Sequence, residues 1–357
     1  MPLRCVDEHG VTIEANSSTD EEWKGLRVRA RAERHLKMPC CPAQAVLKTS
    51  RLGTRFFAHK ARSACDWKPE TEVHLLLKRV TLEAARECGW EAQTEVGGST
   101  SDGDRWTADV LAWKGEERIA VEIQWSGQTN EETWRRQHRY QQSGVEGVWL
   151  LRQPGFPISE ELPAACIGGS ASEGLEILIP KWEGVRSRQR KDEQYWMQSL
   201  DPQAFMNAVF KRQFLFGIEH INQVTLNIET GVLDCWKCRS PTRIVTWLTG
   251  RVGPHEIRES LQVADAEPSL VQSIQETVAD RNDIGTIQER YSNTIQGSYV
   301  SNGCSRCGAL IGRFFEHDAY YCEEETVGTV HWRLDAEARA MLGHDTRRWG
   351  VWEQDAE

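Results

Sequence analysis

The 357-residue chain carries a formal net charge of -10, with 27% charged and 39% hydrophobic residues. That balance excludes a disordered polymer. No run nears the ~20 apolar residues of a membrane span and MPLRCVDEHG has no apolar leader core, so the expectation is a cytoplasmic protein with no membrane partner.

Residues 1–34 read as a short hairpin turning at His9-Gly10, then a helix starting near Ser18-Thr19-Asp20-Glu21-Glu22. Residues 38–65 form a β-rich stretch containing Cys40, Cys41, His59 and Cys65. From Pro69 the spacing of Val73, Leu76, Leu77, Val80 and Ala84 predicts an amphipathic helix. Strands follow over 92–96, 105–113 and 118–125, then a polar helix over 130–142 and an apolar strand over 147–151. PGFPISEELP and GGSASEG read as loops and place a boundary near 155–185. Beyond it, Arg186, Arg188, Arg190 and Lys191 open a segment that continues as a helical stretch with Phe205, Phe210, Phe214 and Phe216. There is no internal repeat and no GxxxxGK loop, so a P-loop ATPase is excluded.

The chemistry concentrates between Asp104 and Trp125. A two-residue turn at Gly115-Glu116 suits type II′, pairs Lys114 with Glu117, and therefore sets Asp109 opposite Glu122. Paired residues lie ~4.5–5.5 Å apart. Two carboxylates that close either sit on a solvated face or share a divalent cation, for which oxygen ligands suit magnesium or manganese. Glu70, His74 and Lys78, spaced by four, form a polar stripe that a helix packed on the sheet could aim at them.

The ordered set Cys40-Cys41, Phe57-Ala58-His59, Cys65, Glu70-xxx-His74-xxx-Lys78, Ala108-Asp109-Val110, Glu122-Ile123-Gln124-x-Ser126, Arg136-xxx-Tyr140 and Val148-Trp149-Leu150-Leu151 resembles the competence protein CoiA family of the PD-(D/E)XK nuclease superfamily. The resemblance spans roughly residues 30–153. It implies an α/β, restriction-endonuclease-like core and a metal-dependent nuclease acting on DNA, in DNA uptake, recombination or defence. Asp109 then matches the motif aspartate, Glu122 and Gln124 the (D/E)XK element, and Glu70 the acidic residue of the preceding helix. Gln124 stands where the superfamily has lysine, and a neutral amide cannot replace a cation. Either Lys78 supplies that charge, or the protein is a catalytically weak or inactive binding module. His74 or Lys78 could orient the attacking water, and Arg135, Arg136, Arg139 and Tyr140 are candidates for nucleic-acid contact. The family's N-terminal CxxC-like element is altered to adjacent cysteines; Cys40, Cys41, His59 and Cys65 are the candidate ligands of a zinc site there.

Eleven cysteines in a chain with no export signal point to metal thiolates rather than disulfides. Cys235-Trp-Lys-Cys238 and Cys304-Ser-Arg-Cys307 predict a four-thiolate structural zinc site with a largely helical insert over about 254–293, while Cys166 and Cys322 read as buried thiols. Basic and aromatic residues beside the knuckles (Lys237, Arg239, Arg306, Arg313, Trp236, Phe314, Phe315) fit either a nucleic-acid or protein partner, or a small core around the metal. The expected organisation is an N-terminal β-rich Cys/His element (1–65), a nuclease core (66–155), a linker and helical region (156–228), a zinc-ribbon domain (229–325) and a helical tail (326–357).

Overall fold

The computed structural model describes residues 2–33, 35–60 and 70–352; Cys65 lies outside the described residues. The chain divides into two compact units, Met1–Leu215 with Trp349–Glu357, and Phe216–Arg348. No helix among the described residues is long and apolar enough to cross a membrane.

The first unit opens with the hairpin β1 (Arg4–Val6) and β2 (Thr12–Glu14), the helix α1 (Asp20–Glu33) and a second hairpin, β3 (Ala45–Thr49) and β4 (Arg55–His59). Next come α2 (Glu72–Glu87), β5 (Glu91–Ser99), β6 (Arg105–Lys114), β7 (Glu117–Gln124), α3 (Asn130–Gln142) and β8 (Glu146–Leu151). The Thr71 hydroxyl caps α2 by accepting from the His74 backbone N–H, and Thr129 caps α3 in the same way through Glu132. Gly115 has φ +63° and Lys114 pairs with Glu117, as the II′ turn requires.

The expected boundary near 155–185 is not there. The sheet continues through β9 (Ala164–Ser170), β10 (Gly174–Pro180) and β11 (Trp196–Leu200), giving seven strands in the order β11-β10-β9-β8-β7-β6-β5. The β7–β8 and β8–β9 pairs are parallel and the others antiparallel. GGSASEG is the β9–β10 hairpin turn rather than a linker. Gly169 has φ +67°, and a Cβ added there would meet the Gly174 carbonyl oxygen at 2.1 Å. The expected helical stretch after it is one helix, α4 (Pro202–Phe210), because Phe214 and its neighbours form the strand β12 (Phe214–Phe216). The α2 and α4 side chains Leu75, Leu77, Leu82, Phe205 and Met206 bury one sheet face with Val110, Val121 and Ile123. The other face is covered by Tyr140 of α3 over Ala108, Leu111, Ala120 and Trp149.

In the second unit, β13 (Gln223–Asp234), β14 (Pro241–Val252), β15 (His255–Ser260) and β18 (Glu325–Arg333) form an antiparallel sheet in the order β15-β14-β13-β18. Between β15 and β18 lie α5 (Pro268–Thr277), the hairpin β16 (Gln288–Ser292) and β17 (Gly297–Ser301), and α6 (Arg313–Ala319). The expected helical insert is thus mixed, with one helix of ten residues. The expected helical tail is mixed too: among the described residues it holds one helix, α7 (Ala336–Thr346), and β19 (Trp349–Val351) pairs with β12.

Candidate active site and metal centres

The sheet forks where the carboxylates lie. The β6–β7 ladder runs from Lys114↔Glu117 to Val110↔Val121 and stops one step short of Asp109 and Glu122. Beyond that point β7 pairs with β8, Glu122 opposite Trp149 and Gln124 opposite Leu151, while β6 pairs with β5. The Asp109 carboxylate takes the place of the next strand carbonyl, accepting from the Ile123 backbone N–H at 2.9 Å.

On one side of the fork, the polar stripe of α2 meets Asp109. His74 Nε2 lies 3.1 Å from Asp109 Oδ2, and Lys78 Nζ lies 3.1 Å from Asp109 Oδ1 and 2.9 Å from Glu70 Oε1. Lys78 also donates to Glu95 of β5. Its side chain is fully buried. Burial alone would lower its pKa, but Asp109, Glu70 and Glu95 outweigh that and raise it, so the ammonium is permanent. Burial would likewise raise the Asp109 pKa; Lys78, His74 and the Ile123 N–H hold it well below the usual carboxylate range. Glu95 is pushed up by burial and by Glu70 and Asp109, against the pull of Lys78.

Glu122 turns the other way, towards α3. Tyr140 Oη donates to its Oε1, and Arg136 Nη2 sits 2.6 Å from its Oε2. Arg136 also stacks over Trp149, 5.1 Å from the ring centroid. The two carboxylates therefore do not share one face as the strand register predicts. The fork releases both from the ladder, Asp109 pairing with Lys78 of α2 and Glu122 with Arg136 of α3. Burial first, then the charge of Asp109, pushes Glu122 up to about 8, against Arg136 and Tyr140.

This shift carries a sign. Between its ordinary 4.5 and about 8, folded Glu122 holds a proton that the unfolded chain releases. Its contribution to stability is complete below pH 4.5 and is lost as pH rises through about 8. Without added divalent ion, thermal denaturation is expected to show stability falling across that window, and Glu122→Gln should flatten the fall. An unchanged slope in Glu122→Gln would assign the titration to another group.

Residues 70–159 match the family model for the competence protein CoiA, nuclease-like domain. The match covers under half of the chain, and it likens these residues to that domain. The PD-(D/E)XK assignment is consistent with that description, which points to a nuclease-related role. The match begins at Glu70, so the Cys40, Cys41 and His59 element lies before it. No curated protein and no solved structure matches the chain.

Within the matched residues, Glu70, His74, Lys78 and Asp109 are brought into one cluster, and Glu122, Arg136 and Tyr140 into a second. The remaining expected residues face elsewhere. Gln124 Nε2 donates to Ser126 Oγ at 2.8 Å and to the Ser126 carbonyl at 3.0 Å. Arg135 pairs with Glu132 at 2.6 Å, and Arg139 lies 3.7 Å from Asp104. Glu95 is the residue that sequence reasoning missed. It sits across from Asp109 between the pairs Thr94↔Val110 and Val96↔Ala108. Its φ of +56° is one that side-chain-bearing residues seldom adopt, and Arg4 of β1 donates to its carbonyl oxygen at 2.6 Å.

The second unit brings its two CxxC pairs together, one between β13 and β14, the other after β17. The Cys235, Cys238, Cys304 and Cys307 sulfurs all lie within 4.8 Å of one another, with Cys235–Cys307 at 3.7 Å and Cys238–Cys304 at 3.6 Å. Tetrahedral zinc with ~2.3 Å bonds to sulfur requires separations of ~3.8 Å. The knuckles repeat one geometry. Arg239 N–H donates to the Cys235 carbonyl and Gly308 N–H to that of Cys304, both at 2.9 Å, and both donors adopt positive φ. The donor set fits zinc closed by four thiolates.

Cys40, Cys41 and His59 form a second group, with Cys41 Sγ 3.2 Å and Cys40 Sγ 3.7 Å from His59 Nε2. Cys166 is buried as expected, whereas Cys322 is exposed, in the turn after α6. Trp236, Phe314 and Phe315 are exposed rather than packed around the thiolates.

Proposed function

We propose that the chain is a metal-dependent nuclease that hydrolyses DNA phosphodiester bonds, with a restriction-endonuclease-like core and a structural zinc site, working in DNA uptake, recombination or defence. The carrying observation is charge. Glu70, Glu95, Asp109 and Glu122 converge on the fork against two permanent cations, Lys78 and Arg136. With Glu122 protonated in the ion-free protein the excess is at most one negative charge; a divalent ion would displace that proton, and oxygen donors suit magnesium or manganese. Asp109 and Glu122 would hold it once Glu122 turned from Tyr140 and Arg136, with Glu70 the acidic residue contributed ahead of α2. When bound, such an ion polarises a phosphate and lowers the pKa of an attacking water. Of the chain's own groups, Lys78 keeps Asp109 ionised and supplies the positive charge that Gln124 lacks. His74, 3.1 Å from Asp109, would orient the water.

Purified protein is expected to cut DNA only with magnesium or manganese, and Glu122→Ala to abolish cutting; cleavage that survives this substitution would refute the site. A second reading, a binding module without hydrolysis, is favoured by Gln124 turning to Ser126 and by both Glu122 oxygens being engaged. The same assay, repeated with RNA and with single-stranded substrates, separates the two: metal-independent binding without cleavage would establish the second.

A further inference from the structure

The segment between β10 and β11 lies beyond the family match and takes no part in the chemistry above. Between residues 181 and 191 it carries Lys181, Arg186, Arg188, Arg190 and Lys191 against the single carboxylate Glu183. Arg186, Arg188 and Lys191 are exposed, as is Arg152 at the end of β8. None of these four is in an ion pair among the described residues.

The segment is fastened to the mouth of the fork. Arg152 N–H donates to the Gln124 carbonyl at 2.9 Å, two residues on from Glu122. The Arg152 guanidinium lies over Trp125, 4.5 Å from the ring centroid. Arg190 donates to the Arg152 carbonyl, and the Arg190 carbonyl accepts from Trp196 Nε1 at 2.8 Å. Glu183 is engaged by the Ile158 N–H at 3.0 Å, and the Arg186 N–H donates to Gln189 Oε1 at 2.9 Å across a short 3₁₀ turn. Asp192, which follows, accepts from Gln194 Nε2 at 2.6 Å.

Arg190 is thus the anchor, and its neighbours project from a fixed backbone. We infer that Arg186, Arg188 and Lys191, with Arg152, form a phosphate-binding arm that seats the DNA backbone beside the fork. This rests on the nuclease reading for the choice of DNA. The exposed guanidinium and ammonium groups would contact phosphates, so they confer position and affinity without base preference. The local positive charge also answers the chain's overall acidity, since only the surface beside the fork needs to attract a polyanion.

The test is binding, measured apart from cleavage. Full-length protein is titrated, with no divalent ion added, onto a short fluorescein-labelled DNA duplex at several salt concentrations. The triple variant Arg186→Gln/Arg188→Gln/Lys191→Gln is expected to bind more weakly to every sequence. The slope of log affinity against log salt should shrink by about three, one for each lost contact. A control removes equal charge from exposed positions of α1, Lys24→Gln/Arg29→Gln/Arg31→Gln, and should keep the original slope. With magnesium, cleavage by the arm variant should fall at limiting DNA and recover at saturating DNA. An unchanged slope, an equal loss in the control, or no duplex binding by the unsubstituted protein would each overturn the arm. Absence of cleavage with the expected change in slope would defeat the nuclease reading and leave the arm standing.

Discussion

Lys78→Met is expected to lower the melting temperature of protein without added divalent ion by roughly 10 °C, and magnesium or manganese should restore part of the loss. The methionine matches the lysine in length, so the buried volume is largely kept and the charge alone is removed. What remains is Glu70, Glu95 and Asp109 facing a buried site without the ammonium they share. Breaking a buried pair on one side costs about 3–5 kcal/mol, because the surviving charge is uncompensated. For a domain of this size each kcal/mol is worth about 2–4 °C. A divalent ion binding the folded state alone would offset that cost by mass action. Lys114→Met, on the exposed turn, should move the melting temperature by less than about 2 °C, as surface substitutions do. Two results would count against this account: a Lys78→Met shift as small as that of Lys114→Met, or a full shift with no recovery on adding the ion. The first would mean the ammonium does not neutralise the cluster, the second that the carboxylates do not hold a cation.

The parts of this site legible in the sequence are those governed by short-range periodicity. Gly115 marks the turn, the turn sets the register, and the register brings Asp109 and Glu122 to neighbouring positions without any tertiary information. The spacing of His74 and Lys78 likewise places them on one side of α2 before the sheet is known, while Glu70, expected on the same helix, lies just ahead of it. That the carboxylates would turn apart was not legible, because it depends on where the ladder between β6 and β7 stops. Glu95 was hidden for the same reason: in the sequence it is one polar residue in a strand, and its left-handed backbone exists because β5 and β6 lose a pairing step beside Asp109. The β9–β11 extension was misread because the glycines of its tight hairpin look like a linker when the strands that close on them are unknown. The polar strand β16 has no apolar alternation to betray it, so the expected helical insert over about 254–293 ends in a strand.

Cys304→Ser is expected to remove one equivalent of zinc from the purified protein and to open the segments around both knuckles, as read by metal analysis and hydrogen exchange. The effect should be large because so little else holds that end of the unit. Its apolar cluster among buried residues is Cys235, Ile244, Cys304, Ile311 and Ala319, in which two of the five belong to the four-cysteine group. Structural zinc supplies about 10–16 kcal/mol in small zinc modules, comparable to the whole net stability of a domain at about 5–15 kcal/mol. Loss of one thiolate opens the tetrahedron, and the knuckle backbones, held at 2.9 Å by the Arg239 and Gly308 N–H groups, lose the cross-link between them. Cys322→Ser is the matched control: its sulfur is exposed and outside the group of four, so zinc content and exchange should not change. The alternative for paired CxxC motifs is a redox dithiol, which predicts a different pattern. A dithiol would yield protein without zinc at these cysteines, a disulfide on mild oxidation, and no opening of the second knuckle when the first is substituted. Sulfur separations of 3.6 and 3.7 Å between the pairs match zinc rather than a disulfide, whose sulfurs bond at ~2.05 Å. Retention of the full zinc content by Cys304→Ser would overturn the four-thiolate assignment.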